Sequence, residues 1–394
     1  MIDSIKERFH YIDKTLLVAM LVLVFIGTIE IQSAGSVLDV YGGKINYMFF
    51  KQLAIVGIGM ILFLSVLVVP YRHYTWISAI GVVVTLTLLV YLMMGTTSFN
   101  SSKSWIDLGF FDFQPSELGK LFFIMYLGAF YNSVQGVKFN ESNYRKLLQP
   151  FFVFAAMFAL IAMQPDPGTA LVYLVIFFGS LATNGLKFKD NWNVLKVIIF
   201  AFAVIVILLF FVNLINNGSV LEYFARMISR FDYRNPCTQF VETGTKGYQV
   251  CNSMIAVNNG GVLGLGYNSS LQKHFYLPYA HTDSIIAIVS EEFGFIGFTG
   301  VLVTFSVIFY KGLMYAMKVP DAFGSVIATG VTALFATHFF VNVLGNVGLI
   351  PLVGIPIPFL SYGGSFFITA CIAMGMLQAV AIRYNKAKLT GKID

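Results

Sequence analysis

The chain has 394 residues, of which 57% are hydrophobic, 16% aromatic and only 11% charged, with a mean hydropathy of +0.78. Soluble domains carry roughly a quarter charged residues, so this composition excludes a water-soluble enzyme and points to many spans of one bilayer. The basic excess is small, 25 Lys and Arg against 19 Asp and Glu for a net +6, and three cysteines (Cys237, Cys251, Cys371) exclude a disulfide-dense scaffold and show no metal-ligand spacing.

A predominantly apolar run of about 17 to 25 residues crosses the hydrocarbon core as a helix. Ten such runs occur, near 14–34, 47–69, 74–94, 116–132, 148–163, 168–184, 194–216, 284–310, 322–344 and 361–382. The expected fold is an all-α integral membrane protein, one polytopic domain over 1–394, with a large extracytoplasmic loop, 217–283, between helices 7 and 8. The first run is full length and no small-residue cleavage site follows it, which reads as a retained helix rather than a signal peptide. Ten spans place both termini on one side. Putting them in the cytoplasm places 16 of the 25 basic residues there, as the positive-inside rule requires.

The polar residues that break this pattern lie mostly on the outward half. In the loop 95–115, Trp105 beside Asp107 is either an interfacial belt residue or a flat platform for a sugar ring. Glu117 and Lys120, in Gln114-Pro-Ser-Glu-Leu-Gly-Lys120, stand three apart on one helix face behind Pro115, which suits the first helical position. They form either a self-neutralising pair or a lysine aimed at an anionic head group. Asp166, in Gln164-Pro-Asp-Pro-Gly-Thr169, fits an N-cap with Pro167 following and Thr169 donating back.

The loop 217–283 is far longer than a usual connection, and such loops tend to be functional. Its stretch 247–260 is amphipathic, with Gln249, Ser253 and Ala256 opposite Val250, Met254 and Val257, and suits the interface or a re-entrant position. Gly260, Gly261, Gly264 and Gly266 follow it without a strand before or a Lys-Ser/Thr after, so they are no nucleotide fingerprint. Cys237 and Cys251 both face outward, where a disulfide persists, and the sequence leaves open whether they pair.

Asp283 stands at the outer mouth of the eighth span. It is either a helix-start residue with Thr282 as cap, or a general base beside His281 at the membrane–water boundary. Glu291 and Glu292 lie about 12 Å deeper at 1.5 Å per residue, with Glu291 nearer the face of Asp283. A carboxylate at that depth is expensive unless it meets a polar cavity or a cation, so function or a buried ion pair is expected of them.

Taken in order, Trp105 with Gln114-Pro-Ser-Glu-Leu-Gly-Lys120, Gln164-Pro-Asp-Pro-Gly-Thr169, Gly247-Tyr-Gln249, Asn259-Gly-Gly-Val-Leu-Gly-Leu-Gly266, His281-Thr-Asp283, Glu291-Glu-Phe-Gly294 and Gly354-Ile-Pro-Ile-Pro-Phe-Leu-Ser-Tyr-Gly-Gly364 resemble the shape, elongation, division and sporulation family, which includes RodA and FtsW. The likeness runs from the first span to the last. It implies a ten-span peptidoglycan glycosyltransferase that polymerises lipid II on the outer face of the bacterial cytoplasmic membrane, beside a class B penicillin-binding protein. The resemblance carries the family's catalytic aspartate onto Asp283, its functional tryptophan onto Trp105, and its motif glutamate and lysine onto Glu117 and Lys120. Two positions depart from the family pattern. Tyr279 stands where members commonly have Glu, which removes a second carboxylate near Asp283, and Pro167 stands where they commonly have Leu.

Sugar transfer from a lipid diphosphate needs a base for the acceptor hydroxyl and cationic groups for the departing diphosphate. Asp283 is the expected base; Lys120, Arg230 and Lys273 are the candidates for diphosphate contact, and Trp105, Glu117 and His281 for the rest of the substrate. No cofactor is required with certainty, a divalent cation stays open, and the expected partners are lipid II, membrane lipids and the transpeptidase, with no nucleic acid. The alternative reading is a lipid II flippase or secondary transporter, which buried carboxylates and proline-broken helix ends also suit.

Overall fold

The computed structural model describes residues 8–43, 45–69, 73–94, 104–107, 109, 112–137, 144–164, 166–186, 192, 195–196, 236–237 and 246–390. Its helices are α1 (Lys14–Tyr41), α2 (Tyr47–Val68), α3 (Tyr74–Met94), α4 (Pro115–Ser133), α5 (Gln149–Ala162), α6 (Pro167–Thr183), α7 (Lys246–Gly260), α8 (Ile285–Lys318), α9 (Ala322–Asn346) and α10 (Gly364–Leu389). Six of them, α1, α2, α3, α8, α9 and α10, are long and apolar enough to cross a membrane, and α5 and α6 are shorter apolar helices. Nine of the ten expected spans coincide with described helices. The seventh, 194–216, lies outside the described residues apart from 195 and 196, and so do 217–235 and Arg230.

The helices start and stop where local chemistry dictates. Pro115 and Pro167 open α4 and α6, where a missing N–H costs nothing. Asp166 caps α6 by accepting from the Thr169 N–H at 3.0 Å, and Asp321 caps α9 by accepting from Gly324 at 3.1 Å. A two-stranded hairpin, β1 (Ile106–Asp107) against β2 (Asp112–Phe113), precedes α4. The centre of the bundle is α9, which packs against α4, α6, α8 and α10, and α10 packs along α2. At one end Asp13, buried, holds α1 to the others: it accepts from Lys311 at 2.8 Å and from the Tyr315 hydroxyl, while Gln378 donates to its carbonyl at 2.8 Å.

The segment after α7 is built into the bundle by two glycines. At Gly294 (φ 65°) α8 breaks, and at Gly264 (φ 82°) the loop comes so close that a Cβ would strike the backbone of Glu292. The break frees backbone groups that apolar surroundings would leave unsatisfied, and the loop supplies their partners. Leu265 and Gly266 donate to the carbonyls of Glu291 and Glu292 at 3.0 and 2.9 Å, and Phe295 and Ile296 donate to Gly261 and Val262 at 2.9 and 3.2 Å.

Three local points are decided by the tertiary structure. On α7, Gln249, Ser253 and Ala256 are buried, as is Val250, while Met254 and Val257 are exposed; Gln249 donates to Ser284 (3.0 Å) and Ser253 to Asn346 (2.9 Å). The N-cap of α8 is Ser284, not Thr282, whose hydroxyl donates instead to the Tyr279 carbonyl at 3.3 Å. Asp283 therefore precedes the helix, and Glu291 shares no helical face with it. Cys237 and Cys251, left open by the sequence, form a disulfide that pins residue 237 to α7.

Candidate active site

A cavity of about 360 Å³ opens where α4, α6, α8 and α10 begin and α9 ends. Its wall includes Trp105, Glu117, Asp166 and Asp283, four of the residues singled out in the sequence, brought together from positions 178 residues apart. The segment Val353–Pro356 and the turn Tyr362–Phe366 complete it.

Asp283 is held from every side through backbone groups. Its carbonyl accepts from Asn342 at 2.7 Å and from Asn346 at 2.9 Å. The preceding carbonyl, of Thr282, accepts from Ser361 at 2.7 Å, and the following side chain, Ser284, accepts from Gln249. Gly354 leaves room for the carboxylate: a Cβ there would stand 3.1 Å from Asp283 Oδ2. A carboxylate on a main chain fixed by these hydrogen bonds, lining a cavity, is the geometry of a positioned base.

Glu117 lines the cavity with Lys120 directly behind it. The Lys120 ammonium, fully buried, donates to Glu117 Oε1 at 2.8 Å and to His338 Nε2 at 3.0 Å, and it lies 5.5 Å from the Phe366 ring centroid. Glu117 Oε2 is buried without a hydrogen-bond partner among the described residues. Of the two sequence readings, the self-neutralising pair describes this arrangement, because the lysine does not itself line the cavity. Asp166 keeps its capping role and also accepts from Gln114 Nε2 at 2.7 Å, so it ties α6 to the start of α4. Trp105, 41% exposed, sits on the wall beside the hairpin.

His281 and Lys273 do not line the cavity. The His281 ring packs edge-on against Tyr362 at 5.6 Å, and Tyr362 donates to its carbonyl at 2.9 Å. Burial pushes its pKa down to about 4, with Asp39 opposing weakly, so the imidazole is neutral at pH 7. Lys273 is buried in an ion pair with Glu292 (3.2 Å) and also donates to Ser33 (2.9 Å) and Asn268 (2.6 Å). Glu291 accepts from Asn259 at 3.0 Å, from the Ser270 hydroxyl and from the Gln272 N–H at 3.2 Å. Both glutamates thus anchor the 261–277 loop to α8. Lys273, expected at a diphosphate, is instead the counter-ion that makes Glu292 tolerable in the interior. Among the described residues no group of three or more His, Cys, Asp or Glu is arranged to hold a metal ion.

The residues the sequence did not single out are His338, Asn342 and Asn346. They stand four apart on one face of α9, all buried, and hold Lys120, the 355–356 backbone and Asp283 respectively or jointly. The available signal was a His-Asn-Asn stripe at helical spacing inside an apolar run.

The family model FTSW_RODA_SPOVE, described as cell cycle protein, matches residues 13–386. The chain is 35% identical to stage V sporulation protein E of Bacillus subtilis, covering 95% of this chain and 98% of that protein. It is 29% identical to the peptidoglycan glycosyltransferase RodA of Treponema pallidum, covering 94% and 98%. Among solved structures, RodA of Thermus thermophilus superposes with a TM-score of 0.65 at 20% identity, covering 95% of this chain and 97% of that one. A chain from a structure described as "Structural coordination of polymerization and crosslinking by a peptidoglycan synthase complex" superposes with a TM-score of 0.71 at 22% identity, covering 94% and 97%. The architecture and the match across nearly the whole length agree: this chain is a multi-pass membrane protein of the FtsW/RodA/SpoVE family of cell cycle proteins.

Proposed function

We propose that this chain is a peptidoglycan glycosyltransferase that polymerises lipid II into glycan strands on the outer face of the cytoplasmic membrane, with both termini inside. The observation that carries the reading is that Asp283, its main chain held by Asn342 and Asn346, lines a cavity at one end of the bundle. As general base, Asp283 takes the proton of the acceptor's GlcNAc 4-hydroxyl. The oxygen attacks the anomeric carbon of the growing strand, the bond to the undecaprenyl diphosphate breaks with its electron pair leaving on the diphosphate, and the configuration inverts.

The departing diphosphate gains negative charge, while the described cavity wall carries the carboxylates of Glu117, Asp166 and Asp283 and no Lys or Arg, so its stabilisation falls to backbone dipoles and to residues beyond that wall. Four helices, α4, α6, α8 and α10, begin at its wall, so their positive dipole ends converge there. The turn Gly363-Gly364-Ser365 leaves backbone N–H groups at the start of α10 without bulky side chains over them. Trp105 offers a face for a sugar ring. Arg230 remains a proposed diphosphate contact from the loop outside the described residues. A class B penicillin-binding protein is the proposed partner, in keeping with the pairing of polymerization and crosslinking named for the structural neighbour.

The test compares wild type and Asp283→Asn, purified with the transpeptidase partner, on lipid II by glycan gel. Wild type should give ladders and the variant none while remaining folded. Ladders from the variant would remove Asp283 as base. Translocation of lipid II by wild type in proteoliposomes without synthesis would turn the reading to a flippase.

A further inference from the structure

We infer that His338 is a positioning residue for this reaction, a tie that sets the Glu117–Lys120 pair against the backbone segment bearing on Asp283. The inference rests on the proposed glycosyltransferase reading and concerns a residue beneath the cavity, not on its wall.

The hydrogen-bond chemistry fixes the state of the ring. An ammonium has three N–H donors and no acceptor, so Lys120, 3.0 Å from His338 Nε2, requires a lone pair on that nitrogen. A carbonyl only accepts, so the Pro356 oxygen, 2.9 Å from Nδ1, requires the proton on that one. His338 is therefore the neutral Nδ1–H tautomer, accepting from α4 on one edge and donating to the 353–356 segment on the other. It is fully buried, and its ring is stacked on Phe366 with centroids 4.2 Å apart and planes 15° from parallel. Turning the ring loses both hydrogen bonds, and any turn short of a half-turn also loses the stack.

Both ends of this tie reach the cavity. Lys120 holds Glu117, which lines it, and Pro356 lies two residues from Gly354, whose bare α-carbon faces the Asp283 carboxylate. One turn along α9, Asn342 donates to the Ile355 carbonyl and to the Asp283 carbonyl, each at 2.7 Å. The residue pair His338 and Asn342 thus registers consecutive carbonyls, 355 and 356, of one segment. A ligand-facing carboxylate on α4 and the base on the far wall are kept at a fixed separation by a rigid element touching neither substrate nor solvent. Misplacing reacting groups by an ångström costs about a hundredfold in rate, so the effect belongs in kcat rather than in binding.

The experiment measures lipid II polymerisation by wild type, His338→Gln, His338→Leu and His338→Asn, each purified with the transpeptidase partner and checked for an unchanged thermal midpoint. Glutamine can accept from Lys120 through its oxygen and donate to Pro356 through its nitrogen. It should keep kcat within about threefold of wild type, whereas leucine, which makes neither bond, should lose at least tenfold in kcat with KM changed less than threefold. Should the leucine variant not fold, the glutamine and asparagine variants carry the test, since the shorter amide cannot span both partners and should fall at least tenfold below glutamine. Wild-type kcat in the leucine variant, a rise in KM at constant kcat, or equal kcat for glutamine and asparagine would each overturn the inference. Wild type that makes no glycan at all would instead overturn the glycosyltransferase reading.

Discussion

Asp283 and Gly354 occupy each other's space: the carboxylate oxygen Oδ2 lies where it would crowd any side chain on Gly354, 3.1 Å from the position of a Cβ. The two residues are far apart in sequence, and the contact exists because Asn342 holds both their neighbourhoods, donating to the Asp283 and Ile355 carbonyls. The glycine also carries φ 76°, a conformation that costs an L-residue roughly 1–2 kcal/mol.

Gly354→Ala should therefore lower the polymerisation rate at least tenfold while leaving the protein in the membrane. The cause would be displacement of the base rather than loss of substrate binding. Steady-state kinetics on lipid II checks it; an alanine variant with wild-type kcat would show that the carboxylate tolerates the displacement.

Lys273→Met should destabilise the fold without acting on chemistry directly. Removing one partner of a buried ion pair leaves Glu292 uncompensated, at a cost of about 3 kcal/mol. Thermal unfolding in detergent should show a lower midpoint for Lys273→Met, and Lys273→Met combined with Glu292→Gln should regain part of it. If the single variant unfolds like wild type, Lys273 is not a structural counter-ion and its proposed role at the diphosphate returns.

The His281 imidazole, held at about 4 by burial, stands below the ordinary value of about 6.5. Between these values the unfolded chain binds the proton and the folded one does not. Its contribution is therefore complete above pH 6.5 and declines as the pH falls toward 4. The midpoint of thermal unfolding should drop between pH 7 and pH 4.5, and His281→Gln should show a smaller drop over the same interval. Equal drops would assign the acid sensitivity to other groups.

The Cys237–Cys251 bond closes a short loop onto α7, whose Gln249 and Ser253 support Ser284 and Asn346 beside Asp283. Bridging a loop of about 15 residues is worth roughly 3 kcal/mol in the chain-entropy model. Non-reducing mass spectrometry of native protein should find the two cysteines joined. Reductant should lower the unfolding midpoint of wild type and leave that of Cys237→Ser unchanged.

Features whose partners lie within one helical turn were legible in the sequence. The apolar runs marked the helices, Glu117 and Lys120 at a spacing of three read as sharing one helix face, and Asp166 with Pro167 and Thr169 read as a cap. Each depends on a local geometry that the backbone imposes wherever a helix forms. Lys273 read as a candidate diphosphate contact because nothing local marks its partners; Ser33 is 240 residues away. Which residues of α7 are buried was illegible for the same cause: amphipathicity says that two faces differ, and only the neighbour decides which one is buried.

The composition by itself determines that this chain lives in a membrane, since so few charges cannot cover a protein in water. It also fixed that the remaining carboxylates had to be either paired or functional, because the interior penalises a lone charge. Which was which came only from packing. Glu291 and Glu292 met a loop and a lysine and became anchors; Asp283 met asparagine side-chain donors from α9 at its carbonyl, and an open cavity, and became the candidate base. The His338-Asn342-Asn346 stripe has its meaning in the same way, since a helix face has a fixed period in sequence but acquires its partners only when other helices close around it.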